Sequence, residues 1–179
     1  MLDIVLVLVV IAVVVFVIVV AGQPSDFRVT RTATMKAPVS AVFEQVNNLR
    51  KWDAWSPWAK LDPEAKNSFE GADAGVGAVM SWAGNNKVGV GSMTITESNP
   101  NNLIRFKLEF LKPFKATNMA EFSFEFDGSQ TTVSWSMYGK NNFISKAMGL
   151  IMNCEKMVGG QFDQGLSAMK AIVEAANAA

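Results

Sequence analysis

Polarity divides the chain into three regimes. Residues 4–21 read IVLVLVVIAVVVFVIVVA, without one polar side chain. After a short break, GQPSD, residues 27–139 largely alternate apolar and polar positions, the period of half-buried strands. Beyond Asn141 the period becomes helical, with Phe162, Leu166, Met169 and Val173 at i, i+4, i+7 and i+11.

The middle regime resolves further. Phe27, Val29, Ala33 and Met35 alternate with Arg28, Thr30, Thr32 and Thr34, leaving Arg31 as a charged exception on the apolar side. Pro38 suits a first helical position, and Val39, Val42, Phe43 and Val46 follow at helical spacing. A second short helix is predicted around Leu49 and Trp52, ending at Pro57 because the residue before a proline avoids the α region. Residues 75–98 then read as a hairpin about Asn85-Asn86, which tolerate left-handed turn geometry. A two-residue turn sets Trp82 opposite Gly89, Met80 opposite Gly91, Ala78 opposite Met93 and Val76 opposite Ile95. The next strands place Ile104, Phe106, Leu108 and Phe110 on one face, then Ala120, Phe122, Phe124 and Phe126, then Val133, Trp135 and Met137. Gly159-Gly160 weaken the last helix by about 1 kcal/mol each relative to alanine, which predicts a kink or a close approach to the sheet.

This order predicts an α+β fold: a strand, two short helices, roughly six antiparallel strands and a long C-terminal helix gripped by a curved sheet. Residues 1–22 form the anchor, 23–26 the linker and 27–179 one folded domain. The apolar run, at about 1.5 Å per residue, spans roughly 27 Å, close to a bilayer's hydrocarbon thickness. A cleaved signal peptide is the competing reading, but the run exceeds a usual signal core and MLD supplies no basic residue. No cysteine follows that could carry a lipoprotein anchor. The nearest cations, Arg28, Arg31 and Lys36, all come after the run, so the positive-inside rule places the domain in the cytoplasm.

Composition removes several chemistries. Sixteen basic and sixteen acidic residues give zero net charge, and the basic ones are scattered, which argues against nucleic acid as a partner. Histidine is absent and Cys154 is the single cysteine. Histidine acid–base catalysis, Cys/His pairs, intramolecular disulfides and the usual zinc sets therefore lack their residues, and no cofactor or metal is implied. Cys154 reads as a small apolar residue of the terminal helical region. The glycines of GADAGVG and VGVGSM precede no helix that could receive a phosphate, so turns and strand packing explain them better.

The stretches FRVTRTATMKAPVSAVFEQVNNLRKWDAWSPW, DPEAKNSFEG, GVGAVMSWAGN, VGVGSMTITES, TTVSWSMYG and FDQGLSAMK together resemble the SRPBCC superfamily. This is the START-like or helix-grip fold, in its polyketide cyclase/dehydrase and lipid transport branch. The resemblance spans about residues 27–173 and rests on packing signatures rather than catalytic motifs. It implies an apolar cavity between the sheet and the last helix, and a hydrophobic small molecule or lipid as partner beside the membrane.

The inward residues that would line such a cavity are Met80, Trp82, Met93, Phe106 and Phe110. Phe124, Trp135, Met137, Phe162 and Leu166 complete the set. Methionine and flat aromatic rings suit an elongated apolar ligand, and the same residues would also build a solid core. Catalysis as a cyclase or dehydrase needs titratable groups inside. Yet Tyr138, Glu109, Glu121 and Glu125 fall on polar faces, the glutamates within reach of Arg105 and Lys107. Asp163 adjoins the helical stripe near the predicted mouth, and Arg31 is the one inward charge that could meet a ligand carboxylate or else form a salt bridge. A protein-interaction module with a filled core is the third reading. In RKWDAWSPW, Trp52 is predicted to plug a helix onto the sheet, Trp55 to form the pocket rim, and Trp58 to lie on the surface near the membrane.

Overall fold

The computed structural model describes residues 2–151 and 154–178. Helix α1 (Leu2–Ala21) is followed by strand β1 (Asp26–Met35), helix α2 (Val39–Asn47), a 3-10 turn (Leu49–Lys51) and short helices α3 (Trp52–Trp55) and α4 (Pro57–Leu61). Six strands come next: β2 (Lys66–Gly71), β3 (Ala78–Ala83), β4 (Val90–Asn99), β5 (Leu103–Lys112), β6 (Ala116–Phe126) and β7 (Thr131–Lys140). Helices α5 (Phe143–Ile151) and α6 (Cys154–Asn177) close the chain. All strands pair antiparallel in one curved sheet of order β1-β7-β6-β5-β4-β3-β2, and α6 packs along it against β1 and the short helices. This is the helix-grip architecture that the polarity pattern predicts.

Alternation decides which face is covered. Ile95, Ile104, Phe106, Phe122, Val133 and Trp135 are buried on one face, against Phe162, Leu166, Met169 and Val173 of α6. On the other face of β1 and β7, paired hydroxyls meet: Thr30 with Ser136 at 2.8 Å, Thr32 with Ser134 at 2.9 Å, and Thr34 with Thr132 at 3.2 Å. Arg105 bridges Glu97 and Glu121, at 2.6 and 2.7 Å, on the same polar side. Phe126 follows the apolar alternation but is the last residue of β6 and stands half in solvent, a departure from its inward prediction. At the turn that follows, Asp127 accepts hydrogen bonds from the Ser129 N–H and hydroxyl and the Gln130 N–H. The backbone donors at Ser129 and Gln130 hold its carboxyl down to about 2.

The β3–β4 hairpin differs from its prediction. Trp82 pairs with Gly91 and Met80 with Met93, a shift of two residues from the expected partners. The cause is a longer loop. The Asn85 carbonyl accepts from the N–H groups of Val88 and Gly89, and Asp62 accepts from the Asn85 N–H at 2.6 Å. The predicted logic of large against small survives with a different glycine: a Cβ on Gly91 would lie 2.5 Å from Trp82 Cζ2.

Pro57 ends the preceding helical piece as expected: α3 stops at Trp55, and Ser56 before the proline is extended. It also begins α4, at the position where its missing N–H costs nothing. The tryptophans before it finish α2. The last four carbonyls of a helix have no partner within it, and here each finds one elsewhere. Glu44 O accepts from the Asn48 N–H, and Asn47 O from the Gly75 N–H. Gln45 O accepts from the Trp55 indole at 3.1 Å, and Val46 O from the Trp52 indole at 3.0 Å. Two indoles and two loop amides thus cap one helix.

Helix α6 runs without a break through Gly159-Gly160, and the close approach predicted there is realised at Gly159. The Arg31 guanidinium lies across Gly159, where a side chain would collide with it. Farther along, a Cβ on Gly165 would lie 2.9 Å from the Trp135 ring and 3.1 Å from Pro57, whereas nothing stands within 4 Å of one on Gly160. Alanine in a helix gains about 1 kcal/mol over glycine, and crowding a packed core costs about 1–3 kcal/mol. Gly160→Ala is therefore expected to raise the denaturant midpoint and Gly165→Ala to lower it. Shifts of the same sign in both variants would contradict this packing.

Candidate functional site

A cavity of about 460 Å³ lies between the sheet, the α3–α4 segment and the first turns of α6. Strands β3 and β4 contribute Met80, Trp82 and Met93, β5 contributes Phe106, Leu108 and Phe110, and β6 and β7 add Ala120, Trp135 and Met137. Helical residues Trp52, Trp58, Val158 and Phe162 close it from the other side.

The space has a local cause. Ala120 stands in register between Phe106 on β5 and Met137 on β7, so a methyl group occupies a position that could hold a large side chain. Around it the aromatic rings are fixed by one another. Trp135 stacks on Phe162 with centroids 4.0 Å apart, and on Phe122 at 4.7 Å. Trp82 meets Phe110 edge-on at 5.9 Å and donates its indole N–H to Val88 O at 3.3 Å. A pocket walled this way is rigid on its aromatic side and adaptable where the methionines lie.

Polar groups are confined to one side. Asp53, Asp62, Asn67 and Ser56 reach the wall where α3 and α4 face β2, and Asp53, Pro63 and Asn67 are exposed there, marking the mouth. Asp53 accepts from the Asn67 side chain at 3.2 Å, while Asp62 accepts from the backbone N–H groups of Asn85 and Glu64. The deeper wall is apolar. Among the described residues no group of three His, Cys, Asp or Glu side chains could hold a metal.

Of the residues predicted to line a pocket, Met80, Trp82, Met93, Phe106, Phe110, Trp135, Met137 and Phe162 are brought together on its wall. Phe124 and Leu166 are buried in the core away from it. Trp55, predicted at the rim, is fully buried and caps α2 instead. Trp58, predicted at the surface, lies half-buried on the wall, 5.8 Å from Trp135 and 6.3 Å from Phe162 between centroids. Reading Pro57 as the start of a helix would have turned Trp58 inward.

Arg31 does not reach the cavity. It donates to Glu155 at 2.8 Å and Asp163 at 3.2 Å, both on α6, and its pKa is raised, chiefly by the hydrogen bond to Glu155. The salt-bridge reading holds for it and removes Asp163 from the mouth. Tyr138 lies on the polar face beneath Arg28, whose guanidinium carbon is 4.2 Å from the ring centre. Cys154 is the first residue of α6, and its side chain lies outside the described part of the structure.

Residues 26–174 match the profile of the family described as polyketide cyclase / dehydrase and lipid transport. The chain belongs to that family. Solved structures agree on the fold of this cyclase-family domain. The di-domain ARO/CYC protein BexL of the BE-7585A biosynthetic pathway superposes with a TM-score of 0.61 at 17% identity, over 88% of this chain and 53% of its own. Protein CV1439 from Chromobacterium violaceum gives 0.59 at 16% identity, covering 85% of this chain and 99% of its own. The major latex-like protein 151 from Panax ginseng gives 0.58 at 12% identity, with 84% and 99% covered. At such identities the likeness concerns the fold alone. No curated protein matches the sequence significantly.

Proposed function

We propose that the protein is a membrane-anchored binder that holds a hydrophobic small molecule or lipid in the cavity between sheet and α6. The observation that carries this reading is a cavity of about 460 Å³ whose deep wall is methionine, aromatic and aliphatic. That volume falls within the range of small-molecule sites, which run from about 300 to 1,000 Å³. Burying about 300 Å² of ligand apolar surface supplies roughly 7 kcal/mol of gross transfer free energy before association costs. No charged partner is needed to retain such a ligand.

The anchor is α1. Its side chains from Ile4 to Val19 are largely uncovered by the rest of the protein, and its length and composition suit a bilayer. The cations that follow it support a cytoplasmic domain by the positive-inside rule. A cyclase or dehydrase activity would have Asp53 and Asp62 as the titratable groups on the described wall, both at the mouth and both hydrogen-bonded.

Protein purified from membranes is expected to carry an apolar molecule, visible as a mass increment in native mass spectrometry and recovered by organic extraction. Purified protein with neither the increment nor an extractable apolar compound would defeat the binding reading.

A further inference from the structure

The strand register brings one rim of the sheet together: Asp26 pairs with Lys140, Ala116 with Phe110, Lys112 with Val90, and Ala83 with Lys66. Three features converge on this rim. Helix α1 leaves the domain here, because its last residue precedes β1 by a linker of four residues, 22–25. The cavity also approaches it, since Trp82, Asn67 and Phe110 of its wall lie within two residues of these strand ends.

The third feature is a set of large apolar side chains that nothing in the described structure covers. Leu111 and Phe114, at the β5–β6 turn, are 55% and 53% exposed. On α5, Phe143 and Leu150 lie seven residues apart, hence on one helix face, and both are exposed. Helix α5 packs against α1, and the Lys146 ammonium donates to Ser25 Oγ at 3.0 Å, beside the point where α1 ends. The two segments read LKPFK and KNNFISKAMGL, four lysines and no acidic residue.

Apolar side chains interleaved with lysines match the boundary between acyl chains and anionic headgroups. We infer that this rim, through the 111–115 turn and the outer face of α5, docks onto the anionic surface of the same bilayer that holds α1. The docked pose turns the cavity end of the domain toward the lipid. An apolar ligand then passes between bilayer and cavity along a short route that avoids bulk water. This docking rests on the reading of α1 as a membrane anchor.

The test uses the full chain in nanodiscs of phosphatidylcholine and phosphatidylglycerol. In a Cys154→Ser background, single cysteines replace Val10, Phe114, Phe143 or Phe126 and carry a nitroxide label. Phe126 is the control, because it is exposed at the opposite end of β6. Accessibility to oxygen relative to a water-soluble nickel chelate is expected to be on the order of fivefold higher at positions 114 and 143 than at 126. Position 10 reports the anchor separately. A lipid signal at 10 with water-like signals at 114 and 143 overturns the docking and leaves the anchor standing. A water-like signal at 10 overturns both.

Discussion

Replacing Trp55 with alanine is expected to lower the free energy of unfolding by about 3–5 kcal/mol. For a domain of this size that is a fall in melting temperature of roughly 10 °C. The indole is fully buried, sits 4.5 Å from Trp52 and 5.6 Å from Trp135 between centroids, and donates to the Gln45 carbonyl. Alanine removes both the packing and the donor. Trp55→Phe separates the two contributions, since it keeps a ring but leaves Gln45 O without its donor, at about 1–3 kcal/mol. Because Trp55 does not line the cavity, ligand binding by the folded fraction should be unchanged. A loss below about 1 kcal/mol in the alanine variant, measured by denaturant unfolding, would return Trp55 to the rim role that spacing predicts.

The second large effect concerns the cavity itself. Ala120→Leu adds three carbons where the wall presents only a methyl group, with Phe106 and Met137 on either side. At about 0.8 kcal/mol for each methylene of ligand displaced, the loss is roughly 2.4 kcal/mol, or about 50-fold in affinity. A photoreactive fatty acid presented to the full chain in nanodiscs provides the readout, as cross-linking to cavity peptides by mass spectrometry. Half-saturation should shift by about that factor while the melting temperature holds or rises, since the new side chain fills space instead of crowding a packed core. Undiminished cross-linking to a folded Ala120→Leu variant would mean that the cavity is not the binding site.

Strands and the terminal helix were legible because their signals are local. Phe106, Leu108 and Phe110 alternate with Lys107 and Glu109, and the stripe from Phe162 to Val173 keeps its period. What escaped depends on partners remote in sequence. The hairpin register is set by Asp62, which holds the Asn85 N–H from across a gap of 23 residues. The role of Trp55 rests on a carbonyl ten residues earlier. Trp58 faces inward because Pro57 opens a helix, and proline is compatible with either end of one. The cavity is the hardest case. Methionine and phenylalanine fill a core or line a void with equal ease, and the difference here follows from the small Ala120 lying in register between two large neighbours.

The closing of α2 by four outside donors has a further consequence. Those donors come from Asn48, Trp52, Trp55 and Gly75, so the bonds join a helix to a segment almost thirty residues away. None of these stretches can separate without exposing a carbonyl held by another. They are consequently expected to open as one cooperative unit, with a common opening free energy instead of three separate ones. Breathing motions that admit a guest are therefore expected in elements outside this unit, and β2, an edge strand whose only sheet neighbour is β3, borders the mouth through Asn67.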